Sequence, residues 1–221
     1  MNKGILICAG ESNADSLAFF TKKLNKCYII AADGGIEVCK AAGLVPDLMI
    51  GDFDSLRESP YYYFPKEDYP YIELVKLPCE KDDTDTIAAI RAAADKGIDE
   101  LYIFGGTGGR MDHYIANIQT LLFAKNLGID AYLLGESKSK AFVIKNEEVR
   151  FDASYKGVIS VFCLGAGAKG VDISGLKYEV AGGELSSDFP VGVSNEFIGK
   201  EAIISVKDGA LLIFINNAPC F

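Results

Sequence analysis

The chain reads as an α/β protein with an N-terminal three-layer, mostly parallel sheet and a C-terminal all-β sandwich. Three observations predict this. Over residues 1–136 short apolar runs alternate with longer stretches of helical period, the signature of βα units whose parallel strands are covered by helices on both faces. From residue 140 to 221 helical period fades, and short apolar runs recur between Gly, Asp and Asn, as in all-β domains. Gly-Glu-Ser-Lys-Ser-Lys at 135–140 supplies a polar link between the two halves. The first half is Rossmann-like in its alternation, and its crossovers are expected to be right-handed.

Apolar runs predict strands over 4–8, 28–32, 48–50, 71–74, 101–104 and 131–134. Between them, residues 15–24 and 36–42 carry helical period, the second ended by Gly43. Longer helices are expected over 84–96, behind a cluster of acidic residues, and over 112–126, behind a glycine-rich turn. In the second half, apolar runs at 158–164, 202–206 and 211–215 predict strands. Asp208-Gly209, flanked by the last two runs, carries the signal of a tight hairpin.

With 221 residues the chain can bury a substantial core, in one large domain or two small ones. A formal charge of −9 disfavours nucleic acid, which calls for clustered Lys and Arg. The six cysteines form no CxxC pair and sit mostly in apolar runs, which predicts reduced, buried thiols and a cytoplasmic home. The N-terminal apolar run is too short for a signal-peptide core, and no stretch approaches the roughly 18 apolar residues of a membrane span.

Four of the predicted strand ends run into elbows that carry aspartate: AADGG, GDFDS, EKDDTD and GGTGGRMDH. In an open parallel sheet the carboxyl ends of the strands face one crevice, so these aspartates can converge although they are distant in sequence. Asp52 and Asp54 are one residue apart and, in extended backbone, point the same way. Paired carboxylates repel unless a cation lies between them, and hard oxygen donors suit Mg²⁺. The blander reading is that Asp54 and Ser55 cap a helix or make a turn.

Asp82, Asp83, Thr84 and Asp85 precede a helix and favour its dipole, yet three carboxylates exceed what a cap needs. The glycines of GGTGGRMDH place backbone N–H groups where an anion can approach. Arg110 can grip a phosphate bidentately, and Asp112 can take a metal or a polar substrate group. The segment is neither a Walker A loop nor a GxGxxG fingerprint. His113, the only histidine, is as readily a local capping partner as a base, and Asp33 in AADGG is either a ligand-binding strand end or part of a turn with Gly34 and Gly35.

In this order and at these spacings, DGG, VPDLMIGDFDS, KDDTD, GGTGGRMDH, ISGLKY and SNEFIGKEAIISVKDGALLIFI resemble the thiamine pyrophosphokinase family of the bacterial type, from about residue 33 to 215. The resemblance implies an ATP-binding catalytic domain over 1–136 and a thiamine-binding β-sandwich over 140–221. It implies transfer of a diphosphoryl group from ATP to thiamine with Mg²⁺, and a homodimer with active sites at the subunit interface.

Position by position, the resemblance assigns Asp52, Asp54 and Asp85 to the metal and the phosphates. It sets Asp33, Gly34, Asp82, Thr84, Gly105, Gly106 and Arg110 near the nucleotide, Asp33 and Asp112 at acidic positions of the cleft, and Ser194, Asn195 and Tyr178 near thiamine; the chemistry itself calls for an aspartate, such as Asp112, that can accept the hydroxyl proton. Two departures are visible: Ile87 stands where many relatives have Glu, and the chain has no Trp, so an aromatic contact to thiamine falls to Tyr or Phe. Open alternatives are a diphosphokinase for another hydroxymethyl heterocycle such as a pterin, a Mg²⁺-dependent phosphohydrolase, and a non-catalytic sensor.

Overall fold

A computed structural model of the chain describes residues 2–79, 83–135 and 138–217. The first half begins with β1 (Lys3–Ile7), α1 (Ala14–Leu24), β2 (Tyr28–Ala32), α2 (Gly35–Ala41) and β3 (Leu48–Gly51). It continues through α3 (Pro60–Tyr63), β4 (Glu73–Lys76), α4 (Asp85–Asp95), β5 (Glu100–Phe104), α5 (Met111–Asn126) and β6 (Asp130–Leu134). These elements follow the predicted alternation. The single turn α3, entered through Pro60 at its first position, was not anticipated. β4 lies two residues later than the expected 71–74, because Glu73 to Lys76 is the segment in register with Leu48 to Gly51 of β3.

The parallel strands run in the order β6-β5-β1-β2-β3-β4. Alternate side chains serve opposite layers, as a pleated strand requires. Leu6, Ile30, Leu48, Leu101, Ile103 and Leu133 pack with Ala89 and Ile90 of α4 and Leu121 and Ala124 of α5. Ile5, Ile7, Ala31, Met49 and Tyr102 face the other way, against Leu17 of α1, Ile36 and Cys39 of α2, and Phe64. A buried leucine or isoleucine contributes roughly 1.5–3 kcal/mol relative to exposure, so this two-sided burial is what fixes strand register and helix placement.

The second half comprises β7 (Lys140–Lys145), β8 (Glu148–Phe151), β9 (Val158–Ser174), β10 (Val180–Leu185), β11 (Asn195–Glu196) and β12 (Ala202–Ile215). β7 joins β6 antiparallel, Phe142 opposite Tyr132, so one hydrogen-bonded sheet runs through both halves of the chain. The sandwich is built by two long strands that each serve both leaves. Residues 210–215 of β12 pair with β7 and with the start of β9. Residues 202–206 pair with β8 and with the end of β9. Phe142, Phe151, Ile159, Val161, Val171, Ile173, Ile204, Val206, Leu211 and Ile213 fill the space between the leaves.

The expected hairpin at Asp208-Gly209 is therefore corrected. Both residues lie inside β12, where Gly209 has φ +107° and the register with β9 shifts between Gly209 and Leu211. A Cβ on Gly209 would meet the Gly167 carbonyl oxygen at 2.2 Å. The glycine thus permits a bulge and bend rather than a reversal. The flanking apolar runs find their partners on β7, β8 and β9, and pairing with each other would leave both leaves incomplete. β7 and β8 lie end to end along β12, both antiparallel to it, so Asn146-Glu147 is likewise a bend, with Asn146 at φ +54° and its Oδ1 accepting from Gly209 N at 2.9 Å.

Candidate active site

β1 is flanked by β2, which leads on to β3 and β4, and by β5, which leads to β6. The chain therefore reverses its direction of travel across the sheet at β1/β5, and the carboxyl ends of these strands frame a crevice, the usual ligand position of an open α/β sheet. Backbone packs tightly against backbone there. Gly10 N donates to the Gly105 carbonyl oxygen at 2.9 Å, and a Cβ on either glycine would come within 2.3 Å of a carbonyl oxygen. Gly105 has φ +67°, so this contact admits no side chain on either ground. The Gly106 carbonyl is held by Asn117 Nδ2 at 2.9 Å, which ties the turn to α5.

Three carboxylates converge beside this crevice. Asp33, Asp52 and Asp54 each bring an oxygen within 4.8 Å of the others. Asp33 has φ +48°, and its N–H donates to the Ile50 carbonyl at 2.9 Å. Its Oδ2 accepts from Ser55 Oγ at 2.5 Å, while Oδ1 is buried with no hydrogen-bond partner among the described residues. Burial pushes the Asp33 carboxyl above the usual aspartate range; Ser55 and the Gly34 N–H pull it down, and the negative Asp85 and Asp52 add to the rise. Asp54 N donates to Asp52 Oδ1 at 3.3 Å across Phe53, which sits at φ +66°. Ser55 caps no helix, since the next one starts at Pro60; sequence reasoning missed its link to Asp33 because the two are 22 residues apart.

Of the residues assigned from sequence to the metal, Asp52 and Asp54 stand together, and the third member of the cluster is Asp33 rather than Asp85. Asp85 opens α4, close enough for its charge to raise both Asp33 and Cys8. The Cys8 thiol is pushed up to about 12, chiefly by burial, and is inert as a nucleophile. Thr84 is the N-cap of α4, its hydroxyl accepting from Ile87 N at 3.2 Å, and Asp83 pairs with Arg91 at 3.0 Å. Asp82 lies outside the described residues.

Arg110 and Asp112 pair with each other, Nε to Oδ1 at 3.1 Å and Nη2 to Oδ2 at 2.6 Å, both side chains exposed. This bond holds the Asp112 carboxyl below the usual range. His113 is exposed, and its N–H donates to Asp112 Oδ1 at 3.0 Å.

In the sandwich, Ser194, Asn195 and Tyr178 form one cluster. Asn195 is buried; its Oδ1 accepts from Tyr178 N at 3.0 Å and Glu196 N at 2.9 Å, and its Nδ2 donates to the Tyr178 carbonyl at 2.7 Å. The amide is thus spent on holding the backbone of Tyr178, a residue that remains 61% exposed. Ser194 is exposed at φ +61°, its N–H donating to Ser160 Oγ at 3.0 Å. From β2 to β9 the sheet order counts six steps. At roughly 4.8 Å per strand that is a path on the order of 30 Å, so one sheet separates this cluster from the acidic one.

Comparison with known proteins agrees with this two-part layout. Residues 20–133 match the family model described as thiamin pyrophosphokinase, catalytic domain, and residues 143–211 match thiamin pyrophosphokinase, vitamin B1 binding domain. The chain is 29% identical over 185 residues to the thiamine pyrophosphokinase of Bacillus subtilis strain 168, covering 83% of this chain and 85% of that protein. The fold is shared with the crystal structure of the Bacillus subtilis enzyme, at a TM-score of 0.82 and 24% identity over 99% of this chain and 100% of that one. It is also shared with the yeast enzyme, at 0.78 and 19% over 96% and 86%. With both halves matched and the acidic crevice in place, the chain belongs to the thiamin pyrophosphokinase family of enzymes.

Proposed function

We propose that the chain transfers the diphosphoryl group of ATP to the hydroxyl of thiamine, giving thiamine diphosphate and AMP, with Mg²⁺ at the acidic cluster. The observation that carries this reading is the convergence of Asp33, Asp52 and Asp54 within 4.8 Å, in a chain whose two halves match the catalytic and vitamin-binding models. The residues fit the metal: three hard oxygen donors meet, and Asp33 Oδ1 is buried with no hydrogen-bond partner among the described residues. When bound, Mg²⁺ supplies charge neutralisation at the phosphate oxygens.

The hydroxyl oxygen attacks the β-phosphorus, the bond from that phosphorus to the α,β-bridging oxygen breaks, and AMP leaves. Catalysis of such a transfer is mostly positioning and electrostatics. Asp52, Asp54 and Asp85 serve the metal and phosphates, with Asp33 completing the set. Gly34, Gly105 and Gly106 let the nucleotide approach backbone, and Thr84 flanks it. Arg110 turns from Asp112 to a phosphate, where its planar fork binds bidentately. Asp112, a weak base while Arg110 holds it ionised, then gains the basicity to accept the hydroxyl proton.

Residues 1–136 form the ATP-binding part and 140–221 the thiamine-binding part. Ser194 and the Tyr178 ring contact thiamine, with Asn195 setting the position of Tyr178. The strand path of order 30 Å between this cluster and the acidic one supports a homodimer in which each site draws on both subunits. Exposed Tyr178, Phe189, Val191, Val193 and Ile198 beside Ser194, and exposed Met111 and Ile115 at the start of α5, supply apolar surface for that contact. A reducing, cytoplasmic setting suits the free thiols at Cys8, Cys27, Cys39, Cys79 and Cys163.

The test is to incubate the protein with ATP, Mg²⁺ and thiamine and to follow AMP and thiamine diphosphate together. Equal amounts of both are expected, with neither formed by Asp54→Ala. Phosphate or diphosphate release without thiamine would sink the reading in favour of a hydrolase.

A further inference from the structure

The aspartate at the end of β2 is gripped more firmly than a turn residue needs to be. Its backbone is fixed by the hydrogen bond from Asp33 N to the Ile50 carbonyl at 2.9 Å. Gly51, at φ +154°, lets β3 pass so close that a Cβ there would lie 3.1 Å from Asp33 Cα. Ser55 Oγ reaches the carboxylate at 2.5 Å, and it does so over Gly34, where a Cβ would stand 3.2 Å from that oxygen and 2.8 Å from Ala9 Cβ. The serine occupies one carboxylate oxygen only. The other, Oδ1, is buried with no hydrogen-bond partner among the described residues, in a carboxylate that clusters with Asp52 and Asp54.

A buried acceptor without a partner is costly, and is retained where something else satisfies it. A hydrogen bond to one oxygen that fixes the direction of the other is how outer partners orient metal-binding carboxylates. We propose that Ser55 is a positioning residue that aims Asp33 Oδ1 at the divalent cation, with Gly34 and Gly51 clearing the space for the grip. Ser55 touches neither substrate nor metal in this role; it acts through Asp33. The inference rests on the metal-dependent reading above.

The test uses the full-length protein without nucleotide and measures Mn²⁺ binding through the electron paramagnetic resonance signal of the free ion, alongside thermal melting of the metal-free protein. Ser55→Ala is expected to weaken Mn²⁺ binding about 10- to 100-fold, the usual effect of losing such a partner, with an unchanged metal-free melting temperature. Ser55→Thr, which keeps the hydroxyl, should bind close to the parent, and Asp33→Asn should bind at least as weakly as Ser55→Ala. Should Ser55→Ala fail to fold, Ser55→Cys, nearly the same size but a weak donor, carries the same expectation.

Parent-like Mn²⁺ affinity in Ser55→Ala, or in Ser55→Cys, overturns the positioning role, and parent-like affinity in Asp33→Asn overturns the ligand role of Asp33. Turnover is read separately. Mn²⁺ binding that follows the expected pattern in a protein making no thiamine diphosphate would leave this inference standing and remove the proposed reaction. Normal turnover with unaltered Mn²⁺ binding in the variants would do the reverse.

Discussion

At the residue scale, Asn195 shows how a residue assigned to a ligand can act by holding its neighbour. Its side chain makes three hydrogen bonds, two to the backbone of Tyr178 and one to Glu196 N. Removing them leaves part-buried backbone groups of Tyr178 and Glu196 without these partners, which costs at most about 1–3 kcal/mol. Asn195→Ala is expected to lose that much stability in urea unfolding and to raise the KM for thiamine, leaving the KM for ATP unchanged. Equal rises in both would argue that the cluster has no special link to thiamine. The acidic residues were legible from their elbows, because strand ends in a parallel sheet share an edge. The Asp33–Ser55 bond was not, since nothing in DGG and GDFDS taken separately says that the two loops touch.

At the element scale, the apolar runs and capping residues located the helices well. Thr84, among the residues read as the start of α4, caps it locally, whereas the Asn13 cap of α1, whose Oδ1 accepts from Ser16 N at 2.9 Å, had gone unread although its signal is just as local. Strands of the second half were less legible, because β9 and β12 each change partners along their length and a bend with glycine looks like a turn. β7 opens on a residue that no pattern would have buried. Lys140 is 6% exposed, with its amine over the rings of Tyr132 at 5.1 Å and Phe142 at 5.3 Å. Burial lowers its amine from 10.5 to about 8, while burial keeps the Tyr132 phenol neutral by pushing it up to about 12.

Below pH 8 Lys140 is protonated in folded and unfolded chains alike, and the full cost of burying its charge is present. Between about 8 and 10.5 the folded chain sheds the proton while the unfolded chain keeps it, so stability from this group rises with pH. Lys140→Met is therefore expected to be more stable at pH 7 by at most about 3 kcal/mol. The gap should close as pH climbs through that window. Chemical unfolding at a series of pH values checks this, and a gap that stays constant would contradict it.

At the scale of the whole molecule, one sheet carries the acidic cluster, after β2 and β3, and the Ser194–Asn195–Tyr178 cluster, on β11 beside β9, with β2 and β9 six strand steps apart. If each active site draws on two subunits, mixing Asp54→Ala with Ser194→Ala chains and refolding them together gives heterodimers with one intact site and one doubly altered. Roughly a quarter of all sites should then be intact, by random pairing of a twofold dimer. Activity returning to about that level, when neither variant alone is active, is the expected outcome. No recovery on mixing would mean that each chain completes its own site.

Composition, period and punctuation along the chain were enough to divide it into an α/β half and an all-β half and to mark the aspartate elbows, because helix and strand periods and cap chemistry act over a few residues. Only the folded arrangement decided that Asp33 clusters with Asp52 and Asp54, that Arg110 and Asp112 hold each other, and that Asp208-Gly209 bends a strand instead of ending one. Each of those outcomes depends on which loops the sheet order brings side by side. That order is set by burying both faces of the sheet at once, a condition on the entire chain that no local window contains.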